Sequence, residues 1–254
     1  MKLTVLGCSG GIGRHAEHTT ALLLDDDVLI DAGTGLSTLD LAQLARIDHV
    51  FLTHSHLDHI AFLPLMLDAA GPLRDRPVTV HATVDTLEAL RKHIFNWTIW
   101  PDFTEIPSRE RPCLAFRAID VGQPVALGTR TVTALPANHT VPAVGYQVDS
   151  GAASLAFSGD TAGCEAFQGA LERIGNLRYL IVEAAFSDTE QHIAALSKHL
   201  CPHSLRIQLR GLRQAPEVFV THLKPVHAEL IRQELAADDA FRLQVLRTGQ
   251  VFDF

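Results

Sequence analysis

The sequence predicts an α/β chain in which two sheets pack face to face under helices, and three observations carry that reading. The parts before and after about residue 115 are alike in strand-rich make-up, which suits two stacked sheets. With 254 residues, 47% hydrophobic and 20% charged, the chain can bury a sizeable core as one large domain of two similar halves, spanning 1–254. Its apolar strand-like runs end, four times over, on side chains that carry chemistry rather than on turn formers alone.

Taken in order, residues 3–6 form a first strand leading into Gly7-Cys8-Ser9-Gly10-Gly11-Ile12-Gly13. A glycine-rich turn after a strand can cradle phosphate, but Arg14-His15-Ala16-Glu17-His18-Thr19-Thr20 is polar and loop-like, not helical. A structural turn near a cleft is the better account. Residues 21–24 and 28–31 make a hairpin about Asp25-Asp26-Asp27, and Asp31 can accept hydrogen bonds from histidines or loop amides, or serve only the turn. A short helix over 36–45, a strand over 49–53 and a helix over 60–67 with Pro64 near its start follow. Residues 78–82 are a strand and 85–93 a helix, with His81 and His93 read as ordinary, partly exposed histidines.

The stretch 93–103 holds both tryptophans, Trp97 and Trp100, with Phe95, Asn96 and Phe103. Aromatic rings on a proline-punctuated connection can stack a flat group at ~1–3 kcal/mol each. The same composition suits a hydrophobic plug closing the core, or a homodimer contact. Strands follow at 114–117, 125–127 and 131–135, then a hairpin of 144–148 and 154–157 about Asp149-Ser150-Gly151. Residues 163–173 read as a helix, 177–182 as a buried strand ending at Glu183, and 192–205 as a helix interrupted at Pro202. Residues 218–220, 226–235, 243–246 and 250–252 give a strand, a helix and a closing terminal sheet.

The chemistry concentrates in Thr53-His54-Ser55-His56-Leu57-Asp58-His59, where three imidazoles and a carboxylate follow a strand within six residues. Neutral imidazole and carboxylate suit zinc or a similar divalent ion, and the spacing of His54 and His56 turns both rings to one side of an extended segment. Asp58 and His59 then point towards a second ion. Partners recur at later strand ends: Asn138-His139, Gly159-Asp160 and Thr221-His222. Glu183, at the same edge, can orient a nearby histidine.

This H-x-H-x-D-H run, followed by a lone His, a lone Asp and a last His, resembles the metallo-β-lactamase superfamily along essentially the whole chain. The resemblance implies a four-layer αββα sandwich of two mixed sheets. It assigns His54, His56 and His139 to one Zn2+, Asp58, His59 and His222 to the other, with Asp160 between them; Mn2+ or Fe would suit the same donors. Asp31-Ala32-Gly33 matches a D-x-G that recurs in the family. Within the superfamily, F-N-x-x-I-W-P-D-F over 95–103 and S-x-H-L-x-P over 197–202 are similar to segments of class II cyclic nucleotide phosphodiesterases. That likeness points Asn96, Trp97, Trp100 and Phe103 at the base and His199 at the scissile phosphate, with Asp58 and Glu183 as further catalytic groups.

Two divalent ions held close together lower the pKa of a shared water from 15.7 towards ~7, which supports metal-dependent hydrolysis of 3′,5′-cyclic nucleotides to 5′-nucleotides. A tRNA 3′-processing nuclease is the competing enzyme, since Glu183-Ala184 and His199 are similar to elements of that family; lactone or thioester hydrolysis uses the same centre. A binding module on this fold is the alternative of another class, although every ligand position here is filled. The net charge of −8 and the pI near 5.9 give no general basic footprint for nucleic acid. No leader or membrane-spanning run is expected in the first residues, and Cys8, Cys113, Cys164 and Cys201 are scattered as thiols in a reducing, cytoplasmic setting would be.

Overall fold

The computed structural model describes residues 1–13, 17–237 and 241–254, so the polar loop expected over 14–20 lies partly outside the described residues. Lys2–Gly7 (β1), Ala21–Leu24 (β2) and Val28–Ile30 (β3) form an antiparallel meander whose second turn carries Asp25 at φ 48°. His49–Phe51 (β4) and Val78–Ala82 (β5) continue the sheet in parallel. After a small hairpin of Pro107–Ser108 (β6) and Arg111–Pro112 (β7), Leu114–Ala118 (β8) adds the edge strand.

The second sheet opens antiparallel with Pro124–Leu127 (β9), Arg130–Pro136 (β10), Val144–Asp149 (β11) and Ser154–Phe157 (β12). It goes on in parallel with Leu177–Glu183 (β13), Glu217–Thr221 (β14) and Gln244–Val245 (β15). Val251–Asp253 (β16) pairs with β1 instead. The two closing strands therefore do not share one terminal sheet, contrary to the expectation for 243–246 and 250–252. The link between them bridges both sheets, Leu246 donating to the Val220 carbonyl and Val5 to that of Gln250.

Helices Leu41–Leu44 (α1), Leu57–Ile60 (α2), Leu63–Ala70 (α3) and Val84–His93 (α4) belong to the first sheet. Glu165–Leu171 (α5), Gln191–Leu196 (α6), Pro202–Arg210 (α7) and Ala228–Ala236 (α8) belong to the second. The helix expected over 36–45 is a 3-10 turn, Thr34–Thr38, followed by α1, whose N-terminus is closed by reciprocal hydrogen bonds between Asp40 and Gln43. Pro64 sits in the first turn of α3, where its missing N–H costs nothing. None of the described helices is long and apolar enough to cross a membrane. The four cysteines are unpaired.

Strand alternation sorts the apolar residues into three cores. Phe51, Tyr146, Phe157, Ile181 and Phe219 fill the space between the sheets. Val50, Leu52 and Val80 face the other way, against Leu63, Leu67, Leu87 and Leu90 of α3 and α4. Leu180, Val182 and Val220 meet Leu205, Leu209 and Ile231 of α7 and α8 on the far side. Helix, sheet, sheet and helix make the four layers that the resemblance implied. Val50-Phe51-Leu52 is fully buried because both of its faces are covered, so the strand that delivers the histidines reads as a continuous apolar run. The Tyr146 hydroxyl donates to the Leu52 carbonyl at 2.7 Å and Val144 N to that of Thr53, fastening the second sheet to that strand end.

Candidate metal centre

Strands β1, β3, β4, β5 and β8 run one way, so their C-terminal ends share an edge with those of β12, β13 and β14, where ligands of open α/β sheets gather. Past β4 the chain stays extended through His56, which stands at the N-cap of α2. The single turn of α2 then swings Asp58 and His59 round to a second position. Asp160 follows β12, and His139 and His222 follow β10 and β14. The helix that follows, α5, is capped by Cys164, which leaves the Asp160 carboxylate free of that role.

These side chains form two groups that share Asp160. One donor atom from each of His54, His56, His139 and Asp160 lies within 4.8 Å of the others, and so for Asp58, His59, Asp160 and His222. Asp160 Oδ2 is 3.7 Å from His54 Nε2 and 3.3 Å from His59 Nε2, and its Oδ1 is 3.3 Å from His222 Nδ1. Asp58 Oδ2 stands 3.7 Å from both His59 Nε2 and His222 Nε2. All seven sequence-predicted donors are thus brought to one place.

The nitrogens facing away from the centre are held. His59 Nδ1 donates to Asp31 Oδ2 at 2.7 Å, His139 Nδ1 to the Lys198 carbonyl at 3.0 Å, and His54 Nδ1 to Thr53 Oγ1 at 2.9 Å. The Thr53 hydroxyl and amide donate in turn to Asp31. Such partners fix which ring nitrogen carries the proton and which offers a lone pair. The nitrogens facing inwards are left over: His54 Nε2, His59 Nε2 and both nitrogens of His222 are buried with no hydrogen-bond partner. Buried polar atoms rarely go unpaired, and here they converge with two carboxylates in a donor set that suits divalent metal.

Electrostatics agree. Burial drives the His54 pKa well below the ordinary histidine value and His59 adds to the effect; burial takes His222 down to about 3. Burial opposes ionisation of Asp160, but His222 and His59 outweigh it and hold the carboxyl well below its usual range. Neutral imidazoles and an ionised carboxylate are the forms that bind metal. His59 differs: burial opposes its charge, yet Asp160 and Asp31 raise its pKa well above the ordinary value.

A third group adjoins the first two. Oxygen and nitrogen atoms of Asp160, Glu183 and His199 lie within 4.8 Å of one another. Glu183, fully buried at the end of β13, accepts from Thr161 N, Ala185 N and Leu200 N and from His199 Nδ1 at 2.7 Å. Burial opposes charge on His199, but the Glu183 carboxylate outweighs it and raises the ring's pKa. The helix expected over 192–205 breaks earlier than Pro202, at Ser197–Cys201, and Pro202 starts α7 instead of interrupting it. Lys198 takes φ 53° in that break, its carbonyl holding His139 and its ammonium donating to the His139 carbonyl. Proline marked a break correctly but not its position, so the role of Lys198 was missed. Lys224, two residues past His222, was missed as well; its charge acts on both Asp58 and His199.

The glycine-rich turn proves structural. A Cβ on Gly10 would stand 2.3 Å from the His222 carbonyl oxygen and 2.9 Å from its ring. His222 itself is at φ 64°, in the left-handed region, and its carbonyl and ring lie against Gly10, where a Cβ has no room.

The aromatic segment is elsewhere. Leu114, at the first residue of β8, donates to the Phe103 carbonyl and pairs with Val78, the first residue of β5. Phe103 therefore lies at the opposite end of the sheet, roughly 15 Å of strand away from the donor edge. It is buried with Phe95 in the helix-side core. Asn96 spends its amide on its own turn, accepting from Thr98 N and Ile99 N and donating to the Lys92 carbonyl. Trp97 is exposed and Trp100 half-buried. Asn96, Trp97, Trp100 and Phe103 are not brought to the donors, and the plug reading describes Phe95 and Phe103 better. His93 is exposed, but His81 is fully buried, stacked on Phe51 at 4.3 Å and 3.1 Å from His49.

Fold and donor set together define a site at a sheet edge whose residues suit divalent metal. The family model described as the beta-lactamase superfamily domain matches residues 26–241, and the chain belongs to that superfamily. It is 31% identical over 119 residues to a probable 3′,5′-cyclic-nucleotide phosphodiesterase of Yersinia pestis, covering 45% of this chain and 33% of that protein. It is 28% identical over 162 residues to ribonuclease BN of Cronobacter sakazakii, covering 59% and 49%. The matches thus span a third to a half of these relatives. The metallo-beta-lactamase fold protein YhfI of Bacillus subtilis superposes with a TM-score of 0.79 at 21% identity, covering 99% of each chain.

Proposed function

We propose that the protein is a zinc-dependent phosphodiesterase that opens 3′,5′-cyclic nucleotides to 5′-nucleotides. The observation that supports the reading is the Glu183–His199 pair set against Asp160, with one oxygen or nitrogen atom of each within 4.8 Å of the others; in this reading His199 is the proton donor and Asp160 the carboxylate that would hold metal. His54, His56, His139 and Asp160 would hold one ion and Asp58, His59, Asp160 and His222 the other. Bound there, the ions supply Lewis acidity towards phosphoryl oxygens and acidify water.

The chain's own residues do the rest. Asp31, Thr53 and the Lys198 carbonyl hold the rings of His59, His54 and His139 in the tautomer that offers a lone pair inwards. Lys224 draws an anion to the mouth. The Asp58 carboxylate, partly open to solvent, takes the proton of the attacking water as its oxygen bonds to phosphorus. The P–O3′ bond breaks with its electron pair on O3′, and His199, kept charged and oriented by Glu183, delivers a proton there. The unpaired cysteines support a cytoplasmic setting.

Purified protein loaded with zinc or manganese should convert cyclic AMP or cyclic GMP to the 5′-monophosphate. No turnover with metal demonstrably bound defeats the proposal. A ribonuclease acting on tRNA is the second reading, favoured by the ribonuclease BN match; salt-sensitive binding of tRNA would select it over the first.

A further inference from the structure

The donor edge adjoins an open hollow of about 500 Å3, comparable in volume with small-molecule sites. It is bounded by Thr83, Val121, Asn138, His139, Thr140 and Pro142. Thr83 follows β5, and Ile119 donates to the Ala82 carbonyl beside it, so Val121 also stands at the C-terminal edge of the first sheet. His139 belongs to both the cavity wall and the first donor group. Whatever has its reacting phosphoryl group at the donors can therefore lay its organic part here.

The lining states what that part is. No Phe, Tyr or Trp and no Lys, Arg, Asp or Glu lines it; its only titratable wall residue is His139. Val121 presents an apolar side chain 51% exposed, and Asn138 and Thr140 are exposed, with side chains that bond to no other described residue. Apolar contact plus one amide and one hydroxyl suits an uncharged, hydroxyl-bearing body. A second phosphate would find no cation in the lining, and a base would find no ring but that of His139, which the Lys198 carbonyl and the donor group already hold, so the ~1–3 kcal/mol that stacking contributes would be largely forgone.

Building on the phosphodiesterase reading, we infer that this cavity beside His139, and not the aromatic segment 95–103, seats the nucleoside, and that it does so with little preference among bases. The seat is Val121 and Pro142 on the apolar side, with Asn138 and Thr140 reaching the sugar hydroxyls.

The test uses the zinc-loaded full chain and reads binding of AMP, CMP and inorganic phosphate by calorimetry, with cyclic AMP turnover followed on the same preparations. Val121→Trp fills the cavity from an exposed position. It should weaken AMP at least tenfold while changing phosphate less than twofold, and Trp97→Ala should change neither. AMP and CMP should bind wild-type protein within about threefold of each other. In crystals soaked with AMP the adenosine should lie against Val121 and Thr140. The inference is overturned if Val121→Trp leaves AMP unchanged or weakens phosphate equally, if Trp97→Ala costs AMP affinity, if AMP binds no tighter than phosphate, or if the soaked adenosine lies elsewhere. Absence of turnover with AMP in the cavity removes the phosphodiesterase reading and leaves the seat. Turnover that Val121→Trp does not alter, with AMP affinity also unmoved, removes the seat and leaves the reading.

Discussion

Asp31→Asn isolates how much of the centre depends on a residue that touches no substrate. Asp31 is fully buried at φ 58°, a conformation that asparagine tolerates, so the substitution keeps volume and backbone. One carboxylate oxygen accepts from Thr53 N at 2.8 Å, and the other from His59 Nδ1 at 2.7 Å. An amide has one acceptor. With its oxygen turned to Thr53, its NH2 faces His59, which must then present a lone pair at Nδ1 and carry its proton on Nε2. That is the nitrogen 3.3 Å from Asp160 Oδ2, on the inward side. Loss of such a supporting partner typically lowers metal affinity ~10–100-fold, or roughly 1.4–2.8 kcal/mol.

Stability falls too, since buried hydrogen bonds to a charge are lost, each worth about 1.5–3 kcal/mol. For a chain of this size a loss near 2 kcal/mol lowers the melting temperature by roughly 4–8 °C. The decisive assay is competition for zinc against a chromophoric chelator, read well below the melting transition so that unfolding does not enter. Asp31→Asn should lose one of two equivalents first, the one at His59 and His222. Two equivalents bound at wild-type affinity would refute the tautomer reasoning, whatever the melting temperature did.

Three further outcomes follow from the same geometry. His199→Gln should lower kcat on cyclic AMP by ~10²–10⁴, but much less on a p-nitrophenyl phosphodiester, whose leaving group needs no proton; equal losses on both would remove the proton-donor role. Gly10→Ala should weaken the second metal equivalent and lower the melting temperature, because its Cβ would meet the His222 carbonyl oxygen at 2.3 Å; unchanged metal titration would show that the loop relaxes freely. His81 should make stability pH-dependent, as burial, then His49 and Arg117, lower its pKa to about 3. Its contribution is fully present above the unfolded value near 6.5 and is lost as pH falls from there towards 3, at up to about 1.4 kcal/mol for each pH unit. His81→Phe, which keeps the stack on Phe51, should flatten chemical denaturation between pH 6.5 and 4; an unchanged slope would place the sensitivity elsewhere.

The donor set was legible because metal ligation constrains sequence locally: His54, His56, Asp58 and His59 must leave one strand end together, and Asp160 and His222 must end others. Apolar runs located those ends, since β4, β12, β13 and β14 are covered on both faces. What was not legible is which element covers which. Residues 244–245 and 251–253 look alike as short strands, and only their pairing partners send one to each sheet.

His81 and the aromatic segment fail for the same reason, in opposite directions. In Val78-Thr79-Val80-His81-Ala82 alternation places Thr79 and His81 on the polar-looking face, which for a one-sided sheet would be solvent. Here that face turns to the other sheet, and Phe51 and His49 of the neighbouring β4 enclose the imidazole, so a residue read as exposed is buried. Residues 95–103 have the composition of a binding surface, but α4 runs back along the sheet before they begin and delivers them to the wrong end. Composition specifies what a segment can touch, while strand direction specifies what it does touch. The loop 137–143, with no ring and no charge apart from His139, is poor in composition and well placed beside the donors.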